Sequence, residues 1–279
     1  MRAVFAIALG LLGHLATVPV HAQIVPDATL PVNSRVVPGC TDCLIEGGTE
    51  RGVNLYHSFR EFSIPTNGSA WFNNGAQIQN IFTRVTGASP SNIDGLLRTN
   101  GSANLFFLNP NGILFGPNAR LQIGGSLVAS TANRFQFSDG SEFSATNPQA
   151  PPLLSINIAP GLQTGMIQPG TAIANQGHLT VGQDFILEAD RLDLQGQLVA
   201  GRDLTLHAHN TVQIRDSALV PFVAQATGNL TIQGNQSVDI FALNHPASGL
   251  WAGGNLVLRS QHPIVGDAHY NALGNVSFE

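Results

Sequence analysis

From Asp184 to the last residue the chain repeats one short phrase, an Asp or Asn followed by two apolar residues that flank a variable one. The copies are Asp184-Phe185-Ile186-Leu187, Asp203-Leu204-Thr205-Leu206, Asn229-Leu230-Thr231-Ile232, Asn255-Leu256-Val257-Leu258 and Asn275-Val276-Ser277-Phe278, at intervals of 19, 26, 26 and 20 residues. Self-similarity at such periods marks a solenoid, because one repeat cannot bury its own apolar row and needs stacked neighbours to do so. Each copy also shows how its coil turns. Apolar residues alternate at Phe185, Leu187 and Ala189, slip parity across Asp190-Arg191, and resume at Leu192 and Leu194. Strand side chains alternate faces, so a one-residue slip turns the next strand inside out unless the chain bends there. Asp190-Arg191 is therefore read as a corner. The next copy bends in the same place, around His209-Asn210-Thr211, between the inward Leu204, Leu206, Ala208 and the inward Val212 and Ile214.

The fold class that follows is all-β, a stack of parallel coils. Upstream, from Ile78, short apolar runs are separated by Asn-Gly, Asn-Pro-Asn-Gly, Gly-Pro-Asn and Gly-Gly, each with a backbone reason to turn. Helix signals are nearly absent. Residues 23–60 have little clean periodicity and are assigned as a cap region, with coils over about 61–279 and the most uniform repeats from 182. The stretch 139–155, rich in Ser, Asn and Pro, is expected to leave the stack, as a hairpin lying on it. At about 4.8 Å per strand, roughly ten coils make a rod about 50 Å long. Its N-terminal edge has the cap for cover, whereas the fifth copy of the phrase runs to Glu279. This suggests a stack that continues in a longer repeat protein.

Charge narrows the partners. Only 10% of residues are charged, the formal net charge is −5, and all twelve basic residues are Arg. A nucleic-acid surface needs a basic stripe to displace counterions, and none exists, so no nucleic-acid partner is expected. The polar surface must be amide and hydroxyl, groups suited to ladders in which each side chain bonds its copy in the next coil. Arg2, the apolar run Ala3 to Val18 and Val20-His21-Ala22 form a secretory signal peptide over residues 1–22, with Gln23 as the mature N-terminus. In an exported chain the lone pair Cys40 and Cys43 is best read as a small loop disulfide, since no further ligands follow to complete a zinc site.

One group of motifs carries a resemblance. Gly47-Gly48-Thr49, Asn54-Leu55-Tyr56-His57-Ser58-Phe59, Phe62-Ser63-Ile64-Pro65, Leu105-Phe106-Phe107-Leu108-Asn109-Pro110-Asn111-Gly112-Ile113-Leu114-Phe115-Gly116 and Gly124 through Asn133 occur in that order. Together they resemble the filamentous-haemagglutinin N-terminal domain, the two-partner secretion domain at the front of large exported adhesins, haemolysins and contact-dependent toxins. The likeness runs from about Val25 to the C-terminus, and its wording is most similar to cyanobacterial members. It implies a right-handed parallel β-helix with an N-terminal cap and a small extra-helical antiparallel sheet. It also implies periplasmic recognition by the POTRA domains of a dedicated outer-membrane barrel, export to the cell surface, and a body that adheres to carbohydrate or protein receptors. The family places Asn109, Pro110, Asn111 and Gly112 among residues needed for export. A second Asn-Pro-type motif of the family is missing here.

The same four residues are also a β-turn: a side-chain acceptor, a Pro that fixes φ, then Asn and Gly able to take positive φ. Their export role and their turn role therefore remain two readings. His207 and His209 share an outward face, but no third ligand lies beside them in sequence, so neither metal nor cofactor is assigned. Asn67-Gly68-Ser69, Asn100-Gly101-Ser102 and Asn235-Gln236-Ser237 match a glycosylation pattern and are read as turns. The alternative function is a polysaccharide lyase or hydrolase on the same scaffold, with Asp190, Asp193, Asp203 and Asp216 as the only candidate acidic edge. Those carboxylates are sparse and no Lys accompanies them, so no catalytic residue is assigned. A toxin would need an effector domain that these residues do not contain.

Overall fold

The computed structural model describes residues 23–150 and 162–279. The signal-peptide segment 1–22 and residues 151–161 lie outside the described residues. All regular structure among the described residues is β, and the long sheets are built from parallel strands of successive coils.

Three parallel faces make each coil. The first carries nine strands in sequence order, from Asn54–Ser63 through Asn80–Val85, Asn104–Leu108, Leu127–Ser130, Phe185–Leu194, Leu204–Arg215, Leu230–Gly234 and Leu256–Arg259 to Val276–Phe278. The second runs through Ser91–Ile93, Ile113–Phe115, Ala172–Asn175, the later halves of Phe185–Leu194 and Leu204–Arg215, then Ser237–Ala242 and Ile264–Ala268. The third begins with Asp42–Gly47, Ser69–Phe72, Leu96–Thr99 and Arg120–Gln122. A single bridge from Ile123 to Val181 joins it to His178–Val181, Gln197–Ala200, Val223–Ala226, Gly249–Ala252 and Tyr270–Ala272.

The corner at Asp190-Arg191 is where the parity slip placed it. Ala189 and Leu192 are fully buried, and the two residues between them face out. The partner strand pairs Ala189 with Ala208 and Arg191 with Thr211, so it carries one extra residue at the bend. Such a bulge sharpens a bend and re-aims side chains. At another corner glycines stack on one another. A Cβ on Gly182 would strike the Gly124 carbonyl, and one on Gly201 the Gly182 carbonyl.

The repeated Asp or Asn explains itself in the same frame. Oδ1 of Asp203 accepts from the Asn229 amide (2.6 Å), Oδ1 of Asn229 from Asn255 (2.9 Å) and Oδ1 of Asn255 from Asn275 (2.9 Å). Each copy thus caps the backbone of its counterpart in the next coil, which needs only an Oδ acceptor and so tolerates either residue. The ladder continues upstream in side-chain form, with Asn104 Nδ2 donating to Asn80 Oδ1 and Asn80 Nδ2 to Asn54 Oδ1, both at 2.9 Å.

Two expectations need adjustment. The excursion is a three-stranded antiparallel sheet, with Arg134–Gln136 between Glu142–Ser144 and Gln163–Thr164. It therefore begins before residue 139 and returns after 155, because its central strand is supplied by chain still reading as part of a coil. The parallel stack also starts inside 23–60: Asp42–Gly47 and Asn54–Ser63 are already coil strands. Covering them are the antiparallel strands Gln23–Pro26 and Thr49–Arg51. At the other end, the inward positions Val276 and Phe278 are exposed, whereas Leu256 and Leu258 one coil earlier are fully buried.

Candidate functional site

The motifs that carry the resemblance converge on the first coils, beneath the excursion. There the phrase becomes Asn-apolar-aromatic: Asn54-Leu55-Tyr56, Asn80-Ile81-Phe82 and Asn104-Leu105-Phe106 stand in register on adjacent strands. The middle residues point into the solenoid. The aromatics point outward and stack, Tyr56 on Phe82 with centroids 5.2 Å apart and Phe82 on Phe106 at 4.5 Å. Phe143 meets Tyr56 edge-on, and Phe135 and Phe137 meet Phe82 in the same way. This second core, with Leu30, Leu108, Ala132, Ala145 and Ile167, welds cap, stack and excursion together. Aromatic pairs of this kind add about 0.5–1.5 kcal/mol each beyond their area burial.

A polar knot lies beside it. Arg84 is fully buried and donates to Ser58 Oγ and Thr29 Oγ1 (2.9 Å each) and to the carbonyls of Ser144 (2.9 Å) and Gln149 (3.0 Å). Its guanidinium also lies 4.3 Å from the Phe143 ring centroid. Burial pulls the Arg84 pKa down to about 10, against the attraction of Asp27. Asp27 accepts in turn from Ser58 Oγ, Thr86 Oγ1 and Thr29. Burial disfavours its charge, but those hydrogen bonds outweigh it and hold the carboxyl below its ordinary range. Next to the knot, Ser34 Oγ accepts from the Ser58 amide (3.2 Å) and shares a hydrogen bond with His57 Nδ1 (3.0 Å). His57 Nε2 is buried with no hydrogen-bond partner among the described residues. Burial pushes the His57 pKa down to about 3.

Asn109, Pro110, Asn111 and Gly112 form a β-turn, closed by the Gly112 amide on the Asn109 carbonyl at 3.2 Å. Gly112 has φ of +113°, with the Ala172 carbonyl 3.1 Å from where a Cβ would sit. Asn111, expected to be free to take positive φ, does not use that freedom. The Asn109 side chain is fully buried: Nδ2 donates to the Ser89 carbonyl (3.1 Å) and Ser91 Oγ (2.9 Å), and Oδ1 accepts from the Asn111 amide (2.9 Å). Asn111 alone of the four is exposed, its Nδ2 donating to the Gly87 carbonyl at 2.8 Å.

Cys40 and Cys43 are disulfide-bonded, with Cα atoms 5.2 Å apart, at the start of the first third-face strand. The candidate acidic edge does not assemble. Asp190 accepts from the Gly170 amide, Asp193 pairs with Arg191, Asp203 serves the Asn229 amide, and Asp216 binds Asn244, His245 and Ser248. Asn67, with φ of 62°, and Gly101, with φ of 60°, sit in the turns expected of their sequons. His207 and His209 face outward as expected, but Glu188 of the preceding coil lies against both, 3.6 Å from His207 Nδ1 and 3.7 Å from His209 Nε2. Burial disfavours the Glu188 charge, yet hydrogen bonds from His207 and Thr164 and the nearby imidazoles keep its pKa below the ordinary value.

Sequence reasoning did not find the aromatic stack, Arg84 or Glu188. The first had a signal, the Asn-apolar-aromatic phrase. The other two depend on contacts across coils and had none.

Comparisons with known proteins agree with this architecture. No curated protein sequence matches the chain. Among solved structures, the HMW1 secretion domain from Haemophilus influenzae is similar over 92% of this chain and 75% of its own, at 16% identity and a TM-score of 0.51. A filamentous hemagglutinin secretion domain aligns over 91% of this chain and 95% of its own, at 17% identity and a TM-score of 0.48. At such identity the likeness to HMW1 is one of fold. The family model described as the TPS secretion domain matches residues 22–278, nearly the whole described chain, and the protein therefore belongs to the TPS secretion domain family of two-partner secretion exoproteins.

Proposed function

We propose that this chain is the portion of an exported exoprotein that its dedicated outer-membrane transporter reads, and that the reading precedes folding. Burial is the observation that carries this. Tyr56, His57, Ser58, Phe59, Phe62 and Leu105 to Leu108 are buried in the folded stack, as are Asn109, Pro110 and Gly112. A transporter meeting the folded rod finds almost none of them. The unfolded chain presents the same segments as amphipathic strands, able to add to a sheet edge on POTRA domains through backbone hydrogen bonds. In this reading the Asn109–Gly112 turn serves export through folding at the cell surface, which prevents the chain from sliding back. The emerged rod is an adhesin whose receptors are carbohydrates or proteins.

The test is secretion in cells that carry the cognate transporter, compared with cells that lack it. Tyr56→Ser and Phe106→Ser remove apolar strand positions, and export is expected to fall with both while periplasmic levels rise. Export that continues without the transporter, or is indifferent to both substitutions, contradicts the proposal.

A further inference from the structure

We propose that Glu188, His207 and His209 form a binding site for a borderline divalent ion of the zinc class, at the seam between the stack and the excursion. Nothing in the secretion reading requires it.

The site is assembled by register. Glu188 and His207 are paired positions on adjacent coils, both pointing outward, and neighbouring strands lie about 4.8 Å apart. His209 follows two residues later on the same face. The extra residue in its strand at the corner, opposite Asp190, re-aims it toward Glu188. One ligand atom from each of the three residues lies within 4.8 Å of the others. Tetrahedral zinc with bonds of about 2.0–2.2 Å sets its ligand atoms roughly 3.3–3.6 Å apart. The separations from Glu188 Oε1, 3.6 Å and 3.7 Å, are within a few tenths of an ångström of that. The remaining His–His edge lies within 4.8 Å, and His209, whose ring would turn to close it, is exposed.

The surroundings are those of a ligand set. Thr164 Oγ1 donates to Glu188 Oε1 (2.9 Å) and Ser130 Oγ to Oε2 (3.3 Å), which fixes the carboxylate from the excursion on one side and the preceding coil on the other. Outer hydrogen bonds of this kind orient first ligands and raise affinity. Two imidazoles and one carboxylate suit zinc, and also cobalt or nickel, over calcium or magnesium. They leave a fourth position for water or an external donor. A bound ion links the coil of Phe185–Leu194 to that of Leu204–Arg215 and, through Thr164, to the excursion.

The experiment is titration of the purified protein with Zn2+ by calorimetry and with Co2+ by visible absorption, with melting temperature measured alongside. The expected result is one saturable equivalent, a tetrahedral Co2+ spectrum, and a melting temperature raised by Zn2+. His209→Ala, at an exposed position, and His207→Gln are expected to lose all three responses while keeping the β-sheet circular dichroism. Thr164→Val, which keeps every ligand, is expected to weaken binding roughly tenfold. The exposed His262→Ala is expected to change nothing. Absence of saturable binding in the unaltered protein overturns the proposal, because the three residues are then only an ion pair. Binding that survives in the His207→Gln, His209→Ala double variant overturns it equally.

Discussion

Replacing Asn109 by Ala bears on the two readings of the Asn-Pro-Asn-Gly motif, since it removes a buried amide while leaving the Gly112-to-Asn109 backbone bond that closes the turn. Its side chain donates to the Ser89 carbonyl and to Ser91 Oγ, and accepts from the Asn111 amide and from Asn111 Nδ2. Net values of about 1 kcal/mol per hydrogen bond, with the extra penalty of leaving the fully buried Ser91 hydroxyl unpaired, put the loss at about 3–5 kcal/mol. That is a large share of a typical stability of about 5–15 kcal/mol. Asn111→Ala removes exposed bonds from the same motif and is expected to cost about 1 kcal/mol or less. Urea unfolding followed by the fluorescence of Trp71 and Trp251 measures both. Ser91→Ala supplies the control, because it strips Asn109 of its buried partner while leaving all four motif residues intact. If the motif works through the fold, the three variants lose export in the order in which they lose stability. The reasoning is refuted if Asn109→Ala is no less stable than Asn111→Ala, or if export fails equally in both.

Three further outcomes follow from the packing. His57 titrates near 6.5 when unfolded but near 3 when folded, so the unfolded state takes up a proton first as pH falls. Its contribution is therefore complete above about pH 6.5 and lost on acidification toward pH 3, about 2 kcal/mol of it between pH 7 and pH 5. His57→Gln should flatten that part of the stability profile. Phe82→Ala opens a hole between Tyr56 and Phe106 and is expected to cost about 3–5 kcal/mol, with the excursion becoming the first site of proteolytic cleavage. Asn255→Ala takes the acceptor from the Asn275 amide and is expected to cost about 1 kcal/mol, while Asn255→Asp keeps an acceptor and is expected to be neutral in thermal melts.

What the sequence revealed and what it hid have the same physical origin. From Asp184 onward one face of each strand meets water, so Phe185, Leu187 and Ala189 alternate with polar residues, and the corners can be read as slips in that alternation. In Asn54–Ser63 and Asn80–Val85 the second face is covered by the cap and the excursion, most residues are buried, and the period of two is obscured. Residues 23–60 therefore looked irregular although they already hold coil strands. The turn at Asn109 to Gly112 was legible because turn chemistry is local. The partnership of Glu188 with His207 and His209 was not, because it needs the register of one coil on the next. Arg84 was hidden for a similar reason: its partners come from three separate segments, around Thr29, Ser58 and Ser144 to Gln149.

The most direct test of the account is the binding of the transporter's isolated POTRA domains to this protein in two states, native and freshly diluted from urea, measured within the refolding time. The account predicts binding to the unfolded chain, lost as native tryptophan fluorescence returns, and weakened by Tyr56→Ser and Phe106→Ser. Equal or tighter binding to the native rod would contradict it and move recognition to the folded surface.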